Sequence, residues 1–376
     1  MILMALDHTR DYFHYDSSVI DPTDIEKTTP IFFFTRFITH YCAPVFVFLA
    51  GTSAFLYGSK KTKPELAKFL FTRGIWLIVF EIVLNNLNWS FDLTYSFIVL
   101  QVIWAIGVSM IFLSVLCFLP KRIILSIGLI LIAGHNLLDD ITVQGTDFHS
   151  IIWYILHQQN GIPITNNHVL FFAYPVIPWI GLMALGYCLG SFYTRDFDVL
   201  KRKKWLIALG TGSIVLFFII RGINVYGDLV PWTQQNSTAK TIMSFFNVTK
   251  YPPSLAYILI TIGPSLLLLY AFENVKNKIS DFMLVFGRVP LFYYFLHVFV
   301  IHVAAIIGVL VFNDNGLEIL RELSNAHFLG GLASKGYSLF TTYMVWIAII
   351  IILYLPCRKY MIYKANNKDK WWLSYL

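Results

Sequence analysis

The sequence predicts an all-α fold: a polytopic integral membrane helix bundle of about ten transmembrane helices. Three observations carry this reading. Charged residues make up 13% of the 376, about half the ~25% usual in soluble domains. Apolar residues make up 57%, including 33 Phe, 21 Tyr and 10 Trp, more than a water-soluble core of this size hides. Long apolar stretches recur along the chain, as expected of segments that cross ~30 Å of hydrocarbon with about 20 residues each. A soluble enzyme, a disordered chain, a collagen and a disulfide scaffold are excluded.

The first stretch, 1–13, spans about 20 Å as a helix at ~1.5 Å per residue. It therefore predicts a first helix truncated at its N-terminus. It has neither the basic n-region nor the cleavage site of a signal peptide. The others run at about 35–57, 66–86, 97–118, 122–138, 172–192, 204–222, 255–272, 284–312 and 340–361. No internal repeat or low-complexity segment interrupts them, so residues 1–376 read as a single domain. With this count, the connections on one side hold 20 of the 28 Lys and Arg. That asymmetry places those connections and the C-terminus in the cytoplasm. The net charge of +7 is the same bias and implies no nucleic acid partner.

The outer connections, about 14–34, 139–171, 223–254 and 313–339, are the long ones and hold His14, His149, His157, His168 and His327. They read either as solvated links or as lids over an acceptor site. The four cysteines lie in or beside apolar stretches, without a CxxC pair. They read as small buried hydrophobes, and no metal-ligand spacing is visible.

Ionisable residues at membrane depth are costly, which makes each a functional candidate. The densest group is Asp7, His8, Arg10, Asp11 and His14, at the outer end of the first helix. His8 and Asp11 are neighbours at i,i+3, and Asp7 and Asp11 at i,i+4. A carboxylate beside an imidazole fixes its tautomer and makes it a better base. The second helix starts near the same surface with Arg36 and His40 on one face. The same residues also suit an interfacial charge network that anchors helix ends.

A second group lies on the ninth helix, which the spacing starts at Arg288 with Pro290 in its first turn. Tyr294 and His297 share a face there. His302 stands ~140° round the helix from His297, so one small site does not use both. Further buried polar candidates are Arg73, Glu81, Gln101, His135, Asn136, Arg221 and Asn224. On the sixth helix Gly181, Gly186 and Gly190 read as close helix packing.

The stretches MALDHTRDYF, FFFTRFITHYCAPVFVFLAGTSAFL, FTRGIWLIVFE, LQVIWAIGVSM, YPVIPWIGLMALGYCLG, YPPSLAYILITIGP, FGRVPLFYYFLH and WWLSYL resemble the bacterial branch of the heparan-alpha-glucosaminide N-acetyltransferase catalytic-domain family, within the wider transmembrane acyltransferases. The likeness runs nearly end to end. It implies an acetyltransferase of the bacterial cytoplasmic membrane. Such an enzyme takes an acyl group from cytoplasmic acetyl-CoA, a co-substrate, and delivers it to an extracytoplasmic sugar or glycan.

By that resemblance His8 is the base, oriented by Asp7 or Asp11, with Arg36 or His40 stabilising charge. In related acyltransferases an Arg stands eleven residues before the key His, a position that here falls before Met1. In the lysosomal branch an Asn aligns with His8 and a catalytic His follows shortly after, which makes His14 a rival base. For acyl-CoA the candidates are Arg73, Arg288, Tyr294 and His297; the cytoplasmic cations suit its phosphates. Direct transfer and an acyl-histidine step both fit. Analogy with the lysosomal relatives implies a homodimer. Two other classes compete: a proton-coupled secondary transporter, which predicts inverted repeats and interrupted helices, and a non-catalytic membrane scaffold.

Overall fold

The computed structural model describes residues 1–15, 21–325 and 336–374. His327 and the last two residues of the WWLSYL stretch lie outside them. In chain order the helices begin with α1 (Ile2–Phe13), α2 (Pro30–Thr39), α3 (Cys42–Gly58), α4 (Lys63–Val79) and, after a π-helical stretch Phe80–Asn85, α5 (Asn86–Ser90). Strand β1 (Phe97–Leu100) precedes α6 (Val102–Leu116), α7 (Lys121–Gly134) with a 3-10 turn His135–Leu138, and α8 (Phe148–Leu156). Strands β2 (Asn160–Thr165) and β3 (His168–Phe172) follow, then α9 (Ile177–Gly190), α10 (Val199–Ile223), α11 (Thr238–Phe246) and α12 (Leu255–Phe272). The chain closes with α13 (Lys278–Arg288), α14 (Pro290–Phe312), α15 (Gly316–Asn325) and α16 (Leu339–Asn366).

Every apolar stretch of the sequence carries helix. Among the described residues, six helical segments are long and apolar enough to cross a membrane: Pro30–Gly58, Lys121–Leu138, Val199–Ile223, Leu255–Phe272, Pro290–Phe312 and Leu339–Asn366. α6 and α9 are apolar but shorter. Large apolar side chains such as Val115, Ile130, Ile219 and Ile351 are exposed on these helices, where a bilayer rather than water suits them. The chain is a polytopic helical membrane protein.

Three features depart from the sequence reading, each with a local cause. The fold is not wholly helical: β2 and β3 form an antiparallel hairpin, Asn160 opposite Phe172, and β1 joins it in the order β1-β3-β2. The sheet uses β-branched and aromatic runs: FIVL opens the stretch 97–118 that the sequence reads as helix throughout, and HVLFF follows the Asn166-Asn167 turn at the end of the outer connection 139–171, where a search for membrane-length stretches passes over strands. The stretch 35–57 breaks at His40–Tyr41, because Pro44 has no N–H and its ring opposes the carbonyl four residues back. For the same reason Arg288 does not start a helix. It ends α13, Val289 leaves helical geometry (φ −131°, ψ 56°) and Pro290 opens α14.

The described residues fall into two compact units. The first comprises residues 1–42, 84–97 and 275–376. In it α1 packs against α2, α14 and α16, and α5 against α14. Asp11 apart, α1 is buried from Met4 to Phe13, so its polar residues are core residues of this unit. Trp346 on α16 donates to the Ile2 carbonyl (2.8 Å), and Thr35 and Tyr343 share a hydrogen bond (2.6 Å).

The second unit comprises residues 43–83 and 98–274. Its helices pair as α4 with α6, α7 with α9 and α10 with α12. The pairs approach through glycines: a Cβ on Gly74 would meet the Gly107 carbonyl at 2.6 Å, and one on Gly181 the Gly128 carbonyl at 3.0 Å. Lys63 donates to the carbonyl of Cys117, just past α6, so this cation closes a helix C-terminus. Arg221, 2% exposed, donates to the carbonyls of Val230, Ser244, Phe245 and Asn247 at 3.0–3.1 Å. The segment after α10 is thus folded around a buried guanidinium, with Asn224 bonded in both directions to the Trp232 backbone.

Candidate active site

α1 carries two distinct polar faces. On one, Asp7 accepts from Arg10 Nη2 (2.6 Å), Arg36 Nη1 (3.0 Å) and the Thr39 hydroxyl (2.7 Å). Asp11 accepts from Arg10 at 2.8 Å. Two carboxylates thus meet two guanidiniums between α1 and α2. Arg10 is 3% exposed, and its Nε and Nη1 are buried with no hydrogen-bond partner among the described residues. His40 follows α2 and is buried, its ring 6.1 Å from that of Phe37.

On the other face His8 Nδ1 lies 2.7 Å from His297 Nε2 on α14, with the two rings within 12° of parallel and their centroids 4.9 Å apart. His297 Nδ1 lies 2.8 Å from the Tyr293 carbonyl. A carbonyl oxygen only accepts, so Nδ1 of His297 carries the proton and its neutral Nε2 is an acceptor. Nδ1 of His8 then donates to it, and Nε2 of His8 is the nitrogen that holds the lone pair. The relay fixes the tautomer of His8 through a second imidazole and a main-chain carbonyl.

Aromatic side chains wall this pair. Trp89 meets the His8 ring edge-on at 4.7 Å and Tyr294 at 5.7 Å. The Tyr294 hydroxyl accepts from Asn85 Nδ2 (3.3 Å) and Trp89 Nε1 (3.2 Å). Tyr12 donates to the Trp89 carbonyl at 2.6 Å, and Asn88 Nδ2 to the Phe295 carbonyl at 2.9 Å. His302 is separate: its Nδ1 donates to the Asn88 carbonyl (3.2 Å) and its ring stacks on Phe91 at 3.8 Å.

The sequence put His8 and His297 in different groups; the fold joins them. It puts Asp7, Arg36 and Thr39 together, with Arg10 as a further member. Trp89, Asn85 and Tyr12 were missed as site residues. For Asn85 and Trp89 the signal is the run NNLNWS at 85–90, three asparagines buried at the end of an apolar stretch and starting at the last residue of a π-helical stretch, which often marks function.

His14 caps α1 away from the histidine pair. It stacks on Phe32 at 4.4 Å and borders a cavity of about 190 Å³ with Tyr15, Thr28, Thr29 and Ser338. Arg288 is exposed. Arg73 lies in the second unit, its guanidinium over the Phe69 ring at 5.9 Å. Among the described residues one group, His135, Asp139 and His157 in the second unit, brings metal-ligand atoms within 4.8 Å of one another.

The turn after Trp89 is set by Asp92. Burial pushes its carboxyl up, but hydrogen bonds from Ser96 and Thr94 outweigh this and hold it well below the usual carboxylate range. A depressed folded value stabilises the turn above the unfolded carboxylate value of about 3.9 and loses that contribution as pH falls through the folded one. Exchange of the Thr94 and Ser96 amides therefore stays protected from pH 7 to about pH 4. At pH 7, Asp92→Ala exposes both.

A family model described as heparan-alpha-glucosaminide N-acetyltransferase, catalytic, matches residues 1–222. That stretch takes in α1, α2 and the Asn85–Trp89 run, and draws on both compact units. No curated protein matches the chain. With more than half of its 376 residues matched, the chain belongs to the heparan-alpha-glucosaminide N-acetyltransferase catalytic-domain family.

Proposed function

We propose that the protein moves an acetyl group from cytoplasmic acetyl-CoA to an amine or hydroxyl of an extracytoplasmic sugar or glycan. In this reading residues 1–376 act as one catalytic domain. The chain crosses the bacterial cytoplasmic membrane about ten times, with its C-terminus inside. The observation that carries the proposal is the buried His8–His297 pair, whose carbonyl-anchored relay leaves Nε2 of His8 as a base. The acceptor's O–H or N–H proton passes to that nitrogen as the acceptor attacks the thioester carbonyl. The CoA sulfur leaves as thiolate and takes that proton back from His8, which returns to its neutral form.

Two roles move relative to the sequence reading. His297, a candidate for acyl-CoA, becomes the group that orients His8. Asp7 and Asp11 belong to the charge network with Arg10 and Arg36, which holds α1 against α2. Tyr294 and Trp89 shape the space beside His8. Arg288, exposed in the same unit, is our choice for a CoA phosphate contact.

The test is binding and hydrolysis of acetyl-CoA by purified protein, comparing wild type with His8→Ala and His14→Ala. Saturable binding with slow CoA release, lost in His8→Ala and kept in His14→Ala, supports the reading. The reverse pattern moves the base to His14, beside its cavity. No binding at millimolar acetyl-CoA sinks the acetyltransferase reading and favours transport.

A further inference from the structure

We propose that His135, Asp139 and His157 form a binding site for a divalent transition-metal ion, zinc first. The site stands apart from the histidine pair of α1 and α14 and does not rest on the acetyltransferase reading. Its ligands come from the ends of two helices. His135 opens the 3-10 turn that continues α7, and Asp139 closes that turn. His157 is the residue at which α8 stops. The spacing of four and then eighteen residues is too uneven to show in the sequence, and the grouping arises from folding.

The side chains hold buried ligand atoms that no hydrogen bond among the described residues uses. His135 is 2% exposed, and both of its ring nitrogens are buried with no partner in hydrogen-bond geometry among the described residues. The Pro253 carbonyl lies toward the ring without meeting hydrogen-bond geometry. A buried imidazole with two unmet nitrogens is rare, because buried polar groups find partners. His157, 3% exposed, sets Nε2 at 3.1 Å from Asp139 Oδ1, and its Nδ1 has no hydrogen-bond partner among the described residues.

The carboxylate is oriented from behind, as metal-binding carboxylates are. Asp139 Oδ2 accepts from Asn136 Nδ2 at 2.8 Å, and Asn136 Oδ1 accepts from the Leu255 N–H at 3.0 Å. Two imidazoles and one carboxylate suit zinc, and three protein ligands leave a fourth position for water. Tetrahedral bonds of about 2.1 Å put ligands about 3.4 Å apart. The His157–Asp139 pair is already at 3.1 Å, and separations that all lie within 4.8 Å need close by no more than about 1.4 Å through ring rotation. Bound there, the ion ties the ends of α7 and α8 to each other, with Asn136 linking them to the start of α12.

The experiment uses the full chain in detergent, stripped with a chelator and titrated with Co²⁺ as an optical probe, then with Zn²⁺. One ion per chain, with visible cobalt bands that zinc displaces, is the expected result. Affinity falls at least about 10-fold in His135→Gln and Asp139→Asn, and by about 10-fold in Asn136→Ala. Wild-type uptake that is absent or non-stoichiometric overturns the proposal. So does uptake that both ligand variants leave unchanged, which puts the ion elsewhere. Should the variants not fold, the wild-type melting temperature decides: it rises with saturating zinc over chelator, or the proposal fails.

Discussion

His8→Gln lowers the rate of acetyl transfer by about 10²–10⁴-fold, the contribution of a positioned general base. The loss sits in kcat, with KM for acetyl-CoA little changed, because the base acts on the acceptor's proton as the transition state forms. The companion substitutions separate chemistry from packing. His297→Leu removes the acceptor of the His8 Nδ1–H, so His8 no longer has one tautomer enforced. His297→Gln keeps an acceptor oxygen near the same place and retains more activity. The expected order of rates is wild type, His297→Gln, His297→Leu, His8→Gln. Equal losses in both His297 variants would make that residue a packing element. An active His8→Gln protein would remove the base from α1's second face altogether. The assay is single-turnover transfer to a glucosamine-containing acceptor, with melting temperature measured on the same preparations to confirm folding.

What the sequence reveals of this site follows from how far apart its parts lie. The Asp7–Arg10–Asp11 cluster is legible because its members share one helix turn, and Arg36 because it opens the next apolar stretch. The partner of His8 is 289 positions away, and no local spacing reports which helix packs beside α1. Asn85 and Trp89 are hidden differently: they extend an apolar helix through a π-helical stretch, a change of hydrogen-bond register that leaves hydrophobic periodicity almost unmarked. Pro44 and Pro290 do mark the two helix breaks. They were overridden because the apolar runs continue across them, and hydropathy measures burial in lipid rather than continuity of the backbone ladder. The β2–β3 hairpin escaped for the same reason, since a search for membrane-length stretches passes over strands of five or six residues.

Gly186→Val destabilises the second unit by about 3 kcal/mol or more. Here the small residue is required by backbone approach. A Cβ at Gly186 on α9 would overlap the Phe48 carbonyl of α3, and one at Gly51 on α3 would overlap the Met183 carbonyl of α9. The Thr52 hydroxyl also donates to the Gly186 carbonyl at 3.0 Å. Side-chain rotation cannot relieve a clash with main chain, so the helices must separate, losing that hydrogen bond and the contacts around it. Three free cysteines, Cys117, Cys188 and Cys357, are buried, so reaction with a thiol-sensitive dye on heating reads out unfolding directly. Gly186→Val lowers the midpoint by roughly 6–12 °C on the usual scale for a domain of this size. Gly212→Ala supplies the opposite sign. It lies within α10, and nothing approaches within 4 Å of an added Cβ, so alanine there contributes about 0.5–1 kcal/mol of helix stability. A glycine-to-alanine change that raises the midpoint at 212, beside a collapse at 186, ties the cost to the α3–α9 crossing. A tolerated valine at 186 would mean that these two helices do not pack at backbone distance.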